Sequence, residues 1–135
     1  MILNSYLSIV TMNMNRLNDL IKRCRVSDLT KRQNSSICCL QKTHFRPKDT
    51  YSLKMKDWRT IYRSNGPQKK AGVAILISDK LKFIPKTVVR DEEGHYIMIN
   101  VSSIQQSDLT IMNIYAPTVG AAKFINQLIT KVKTY

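Results

Sequence analysis

Tyr6-Leu7-Ser8-Ile9-Val10-Thr11-Met12, closing on Asn13-Met14-Asn15-Arg16, and Ile37-Cys38-Cys39-Leu40, closing on Gln41-Lys42-Thr43-His44, are the two stretches that decide the fold. Each is a short, nearly continuous apolar run that stops at polar residues, the pattern of a strand covered on both faces. Between them Leu17, Leu20, Ile21 and Cys24 recur at i, i+3, i+4 and i+7, one face of a helix whose first turn Asn18 can cap. Strand, helix, strand predicts a right-handed βαβ crossover. Parallel strands end on the same side of a sheet, so Asn13, Asn15, Gln41 and Lys42 are expected to gather at one rim.

Beyond this unit the pattern changes. Ala71 to Ser78, Tyr96 to Val101 and Leu109 to Tyr115 are strand-like and separated by turn sequences, and they predict an antiparallel meander. Pro85 makes Lys82 to Val89 an edge strand or an irregular connection. Phe124, Leu128, Ile129 and Val132 share one face of a helix over Gly120 to Val132. Two helices are too few to cover both faces of so apolar a sheet, so one face is expected to be left bare.

The 135 residues make one domain, and 43% hydrophobic content is too high for a disordered chain. No stretch approaches the roughly 18 uncharged apolar residues of a membrane span, so no membrane partner is expected. The three cysteines form no Cys-x-x-Cys pair and only two histidines are present, which argues against a disulfide framework or a zinc site. Cys38 and Cys39 read as small core residues facing opposite sides of a strand. The first residues have no basic region and no long apolar run, so neither a secretory signal nor an oxidising compartment is expected.

Charge is the strongest compositional signal. The formal net charge is +13, with 12 Lys/Arg against 4 Asp/Glu in residues 1–60 and 10 against 5 in residues 61–135. It is spread along the chain rather than held in a tail, and a polyanion is its natural partner. Gly66 to Gly72 has glycines and lysines without the P-loop spacing. Asp91-Glu92-Glu93-Gly94 reads as a solvated turn, and His44 and His95 have no triad partner.

Five segments carry a family resemblance: Thr11 to Asn15, Cys38 to His44, Lys69 to Leu76, Gly94 to Met98 and Asn113 to Pro117. In order and spacing they resemble the endonuclease domain of a mammalian long interspersed element retrotransposon, from about Ser8 to about Val132. The resemblance implies the endonuclease/exonuclease/phosphatase superfamily, alongside the apurinic/apyrimidinic endonucleases. It also implies a two-sheet α/β sandwich flanked by helices, Mg²⁺-dependent phosphodiester cleavage, DNA as partner, and an intracellular setting, nuclear or cytoplasmic. The family domain is nearly twice as long, so residues 1–135 correspond to a single partial domain, its N-terminal half.

Residue by residue, Asn13 and Tyr115 match the family's active-site Asn and Tyr, implied to contact the scissile phosphate. Asn15, Arg16, Lys69 and Lys70 are the expected phosphate and DNA contacts, although Arg16 stands where the family usually has a turn glycine. Lys42 stands where the family has the Glu that binds Mg²⁺. An ammonium has three donors and no lone pair, whereas Mg²⁺ takes oxygen ligands. At about 4 Å and an effective dielectric of about 20, it repels a divalent ion by about 8 kcal/mol. The family's later Gly-Asp-Phe-Asn, Asp and Ser-Asp-His motifs, which supply the general base, have no counterpart in this sequence.

The expected function is therefore a catalytically silent relative of a Mg²⁺-dependent DNA-nicking endonuclease. The alternatives are a basic, non-catalytic nucleic-acid-binding module, or the product of a decayed element with no selected function. In the last case exposed strand faces and an open edge would favour self-association.

Overall fold

A computed structural model of the chain describes residues 8–14, 28, 32, 36–43, 60–64, 72–78, 81, 83–103, 108–117 and 119–132. In chain order the described elements are β1 (Ile9–Asn13), β2 (Ile37–Gln41), β3 (Thr60–Ser64), β4 (Val73–Ile77), β5 (Phe83–Arg90), β6 (Tyr96–Ser103), β7 (Asp108–Ile114) and α1 (Ala121–Val132). They form a four-stranded sheet of order β1-β2-β4-β3 and a three-stranded sheet of order β5-β6-β7.

β1 and β2 pair in parallel, Ile9 opposite Ile37 and Asn13 opposite Gln41, as the two opening runs require. The helix expected around Leu17 to Cys24 lies outside the described residues. The expected meander is corrected: Val73–Ile77 pairs with β2 and β3 in the first sheet and not with β6. The true meander is β5-β6-β7, with β5 at its edge and a register break between Pro85 and Thr87. Pro85 cannot donate to a ladder, so the edge and the bulge are where it fits. β3 went unread because Thr60 to Ser64 mixes apolar and polar residues without a run long enough to stand out.

The two sheets pack face to face. Ile37 and Cys39 of β2 and Val73, Ile75 and Ile77 of β4 meet Ile97, Ile99 and Val101 of β6 and Ile111 of β7. The opposite face of β2 and β4, formed by Cys38, Leu40, Ala74 and Leu76, is equally inaccessible, which is why these strands read as unbroken apolar runs. The expected bare face is corrected accordingly, because each sheet covers the inner face of the other. Among the described strands, large exposed apolar side chains fall on the edges, with Ile9 of β1 55% and Ile84 of β5 61% exposed.

α1 follows Gly120, whose φ of 78° is open to glycine at no steric cost. Its Phe124 ring lies 6.5 Å from that of Tyr96, and Lys131 Nζ donates to Tyr96 Oη at 2.9 Å, so the helix rests against the start of β6. Leu128 is buried there, whereas Ile129, expected on the same face, is 49% exposed.

Cys38 and Cys39 are both buried thiols. Cys39 belongs to the inter-sheet core and Cys38 faces the other way, as alternation along a strand dictates. Burial, with the neighbouring Cys39 adding to it, pushes the Cys38 thiol up to about 12, and burial pushes Cys39 up to about 11. Unfolded thiols lose their protons near pH 9 while the folded ones keep theirs, so stability falls as pH climbs above about 9. The melting midpoint should therefore be flat near neutrality and fall between pH 9 and 11. A Cys38→Ala/Cys39→Ala double variant should show a shallower fall, and an unchanged fall would remove the thiols as its cause.

Candidate functional site

The described ends of β1, β2 and β7, the start of β4 and the β5–β6 turn meet at one rim of the sandwich. Backbone hydrogen bonds tie them together. Met14 N donates to Gln41 O (2.8 Å), Thr43 N to Gly72 O (3.1 Å), Gly72 N to Gly94 O (3.0 Å) and Tyr115 N to His95 O (2.7 Å). Gly72 and Gly94 have φ of 117° and 76°, a region that side chains with a Cβ rarely enter. The Asp91–Gly94 turn closes on itself through Gly94 N to Asp91 O (3.1 Å), and Asp91 Oδ2 accepts from His95 N (3.0 Å). Asp91 thus has a structural task, and Glu92 and Glu93 are exposed, as the turn reading expects.

Beneath the rim, polar side chains join the two sheets. The Gln41 amide donates to Thr11 Oγ1 (2.8 Å) and to Asn113 Oδ1 (2.6 Å). The buried Asn113 amide in turn donates to Leu40 O (3.0 Å) and Ala74 O (2.8 Å). Every donor of both amides is used, so Gln41 and Asn113 form a fixed floor. Sequence reading grouped Gln41 with the rim but missed Asn113. The signal was present as one polar residue at an inward position of Leu109, Ile111, Asn113, Tyr115.

Of the expected site residues, Asn13 lies exposed at the end of β1, paired in register with Gln41. Lys42 and Tyr115 are brought together, with Lys42 Nζ 5.3 Å from the centre of the Tyr115 ring. Asn15, Arg16, Lys69 and Lys70, like His44, lie outside the described residues. His95 stacks near Tyr115, its ring centre 6.4 Å away at an interplanar angle of 26°. His95 Nδ1 donates to Tyr115 O (2.9 Å), and Phe124 of α1 packs edge-on against the imidazole at 5.6 Å.

Lys42 has an unusual backbone. Its φ of 53° is the one positive value among the described non-glycine residues, and the left-handed region costs an L-residue roughly 1–2 kcal/mol. Strand alternation would carry its side chain to the face opposite Gln41; the left-handed turn breaks that alternation and brings the ammonium to Tyr115. A contact of this kind is worth about 0.5–1 kcal/mol at an accessible site, comparable to the backbone cost. The next residue, Thr43, is 1% exposed, and its hydroxyl has no hydrogen-bond partner among the described residues.

The donor set does not suit Mg²⁺. Asn13, Tyr115 and the Thr43 hydroxyl are neutral, the Gln41 amide is engaged, and Lys42 brings a positive charge. Among the described residues no three His, Cys, Asp or Glu side chains form a group able to hold a metal ion. A divalent cation needs carboxylate oxygens; Lys42 offers it an ammonium, and the rim's carboxylates lie in the Asp91–Gly94 turn, where Asp91 Oδ2 accepts from His95 N. What Lys42 can do is meet an anion, with its positive charge placed beside the Tyr115 ring.

No family model matches the sequence. Among solved structures, the chain is similar to the endonuclease domain of TRAS1, a telomere-specific non-LTR retrotransposon. The TM-score is 0.64 at 12% identity, over 96% of this chain and 53% of that one. It is also similar to the AP endonuclease LMAP from Leishmania major, with TM-score 0.65, 15% identity, and 82% and 40% of the two chains covered. A third is the 3′ phosphatase NExo from Neisseria bound to a product DNA hairpin, with TM-score 0.60, 20% identity, and 90% and 48% covered. The chain spans about half the length of the structures it matches. It shares part of the fold of these structures.

Proposed function

From a chain that carries about half of the endonuclease/exonuclease/phosphatase fold, we propose that the protein binds DNA through its phosphates and does not cut it. The observation that carries this reading is the rim itself: Lys42 stands over Tyr115 at the head of β2, where a hydrolytic site would need a carboxylate. Hydrolysis by this class of site requires a polarised phosphoryl oxygen and an activated water, and a lysine supplies neither a metal nor its bound hydroxide. Binding needs less. A net charge of +13 releases counterions from a phosphate backbone whether or not any bond is broken.

Mg²⁺ has no part in this reading. Asn13 and Tyr115 are assigned to phosphate contact rather than catalysis, and Asn15, Arg16, Lys69 and Lys70 extend the contact along the backbone. Asn15 and Arg16 directly follow Met14, and Lys69 and Lys70 come shortly before Gly72, so in sequence all four adjoin the rim. A Neisseria relative of the fold has been captured on a DNA hairpin, which supports DNA as the partner. The same net charge opposes association of two copies of this chain.

Fluorescence anisotropy of a labelled duplex, titrated over a range of salt in chelator, tests the reading. Each neutralised phosphate contributes about −0.9 to the slope of log K against log salt. Engagement of Asn13, Tyr115 and their basic neighbours predicts a slope of about −3 to −5 with little sequence preference. A slope near zero, or no binding at low salt, would refute it.

A further inference from the structure

We propose that Lys42 is the built-in cation of a metal-independent phosphodiester site, its ammonium held at the rim by a strained backbone so that one DNA phosphate seats against Lys42, Asn13 and Tyr115. The inference rests on the DNA-binding reading above and names the residue that anchors it. Three independent observations carry it. The first is conformational: Lys42 holds a left-handed φ of 53° that nothing in the local sequence demands, since a glycine would occupy it without strain. Strain that persists at one residue, over-determined by its surroundings, points to a use for that residue.

The second is the direction in which that conformation sends the side chain. The ammonium reaches the face of Tyr115, 5.3 Å from its centre, and the Tyr115–His95–Phe124 stack fixes the ring beneath it. The third is the absence of a counter-charge. Among the described residues no carboxylate pairs with Lys42; Asp91 is occupied by the His95 amide, and Lys86 takes Asp108 at 2.9 Å in the other sheet. An ammonium held over an aromatic face is set to take a phosphate oxygen, and a charge-assisted bond to phosphate outweighs the contact with the ring. It also repels a divalent cation, so the site works without one.

The test compares the native chain with Lys42→Gln and Lys42→Gly by anisotropy of a labelled duplex, in chelator. Lys42→Gln removes the charge, and Lys42→Gly also relieves the backbone. Both variants are expected to bind about tenfold more weakly at low salt, with the salt slope shallower by about 0.9, one phosphate contact. Lys42→Gly should melt no lower than the native chain, which separates lost contact from lost fold. If the native chain binds and both variants keep its affinity and slope, Lys42 is no phosphate contact and the proposal falls while the DNA-binding reading stands. If the native chain itself shows no salt-dependent binding, the reading and the proposal fall together.

Discussion

Asn113→Asp is expected to lower the melting midpoint by roughly 15 °C, although it exchanges one amide nitrogen for an oxygen and changes the side-chain volume hardly at all. The native amide donates to Leu40 O at 3.0 Å and Ala74 O at 2.8 Å, both in the opposite sheet. A carboxylate would turn both donors into acceptors, set two carbonyl oxygens against a third, and bury a charge in a residue only 3% exposed. Leaving a buried charge without a partner costs about 3–5 kcal/mol. Asn113→Ala should cost less, about 2–3 kcal/mol, because it leaves carbonyls and the Gln41 amide short of a partner without adding a charge. Thermal melts of the two variants check the order. Negligible losses in both would show that Asn113 does not join the sheets.

Ile75→Ala is the second large effect, with an expected loss of about 3–4 kcal/mol. Ile75 sits at the centre of β4, opposite Cys39 on one side and Tyr62 on the other, and is wholly inaccessible. Its side chain belongs to the layer where both sheets meet, so truncation opens a cavity that the facing Ile97 and Ile99 cannot fill without moving the second sheet. A loss of that size is a large part of the roughly 5–15 kcal/mol by which a domain of this kind is stable. Urea denaturation would measure it; a loss under about 1 kcal/mol would mean that the sheets do not share this core.

These two residues mark how far the sequence could be read. Ile75 lies in an unbroken apolar run, and such a run identifies a strand buried on both faces whatever its partners. The parallel pairing of β1 with β2 was legible for the same reason, and with it the meeting of Asn13, Gln41 and Lys42 at one rim. Strand assignment to sheets was not legible. Val73–Ile77 carries no mark that sends it between β2 and β3 rather than beside β6, because pairing partners are chosen by long-range packing that a local pattern does not record. Asn113 was missed as a buried link because one polar residue near a strand end resembles ordinary edge polarity.

The rim was legible mainly through resemblance. Asn13 and Tyr115 are unremarkable as a strand-end amide and a half-buried ring, and five ordered motifs gave them meaning. Lys42 read as a departure from the carboxylate that the resemblance implies, but its left-handed backbone and its seat over Tyr115 are properties of the fold that a local pattern does not record. From sequence, a lysine in that position abolishes a metal site or meets a phosphate oxygen in place of the ion. The geometry makes it a held positive charge, and the held charge is the basis for assigning the chain to binding rather than cleavage.

Supercoiled plasmid incubated with the purified chain in Mg²⁺, then stripped of protein and resolved on a gel beside an unstripped sample, tests that assignment most directly. Retarded migration before stripping and intact supercoiled DNA after it are expected, at protein concentrations that saturate the plasmid. Open-circular DNA that accumulates with time and stops on chelation would contradict it.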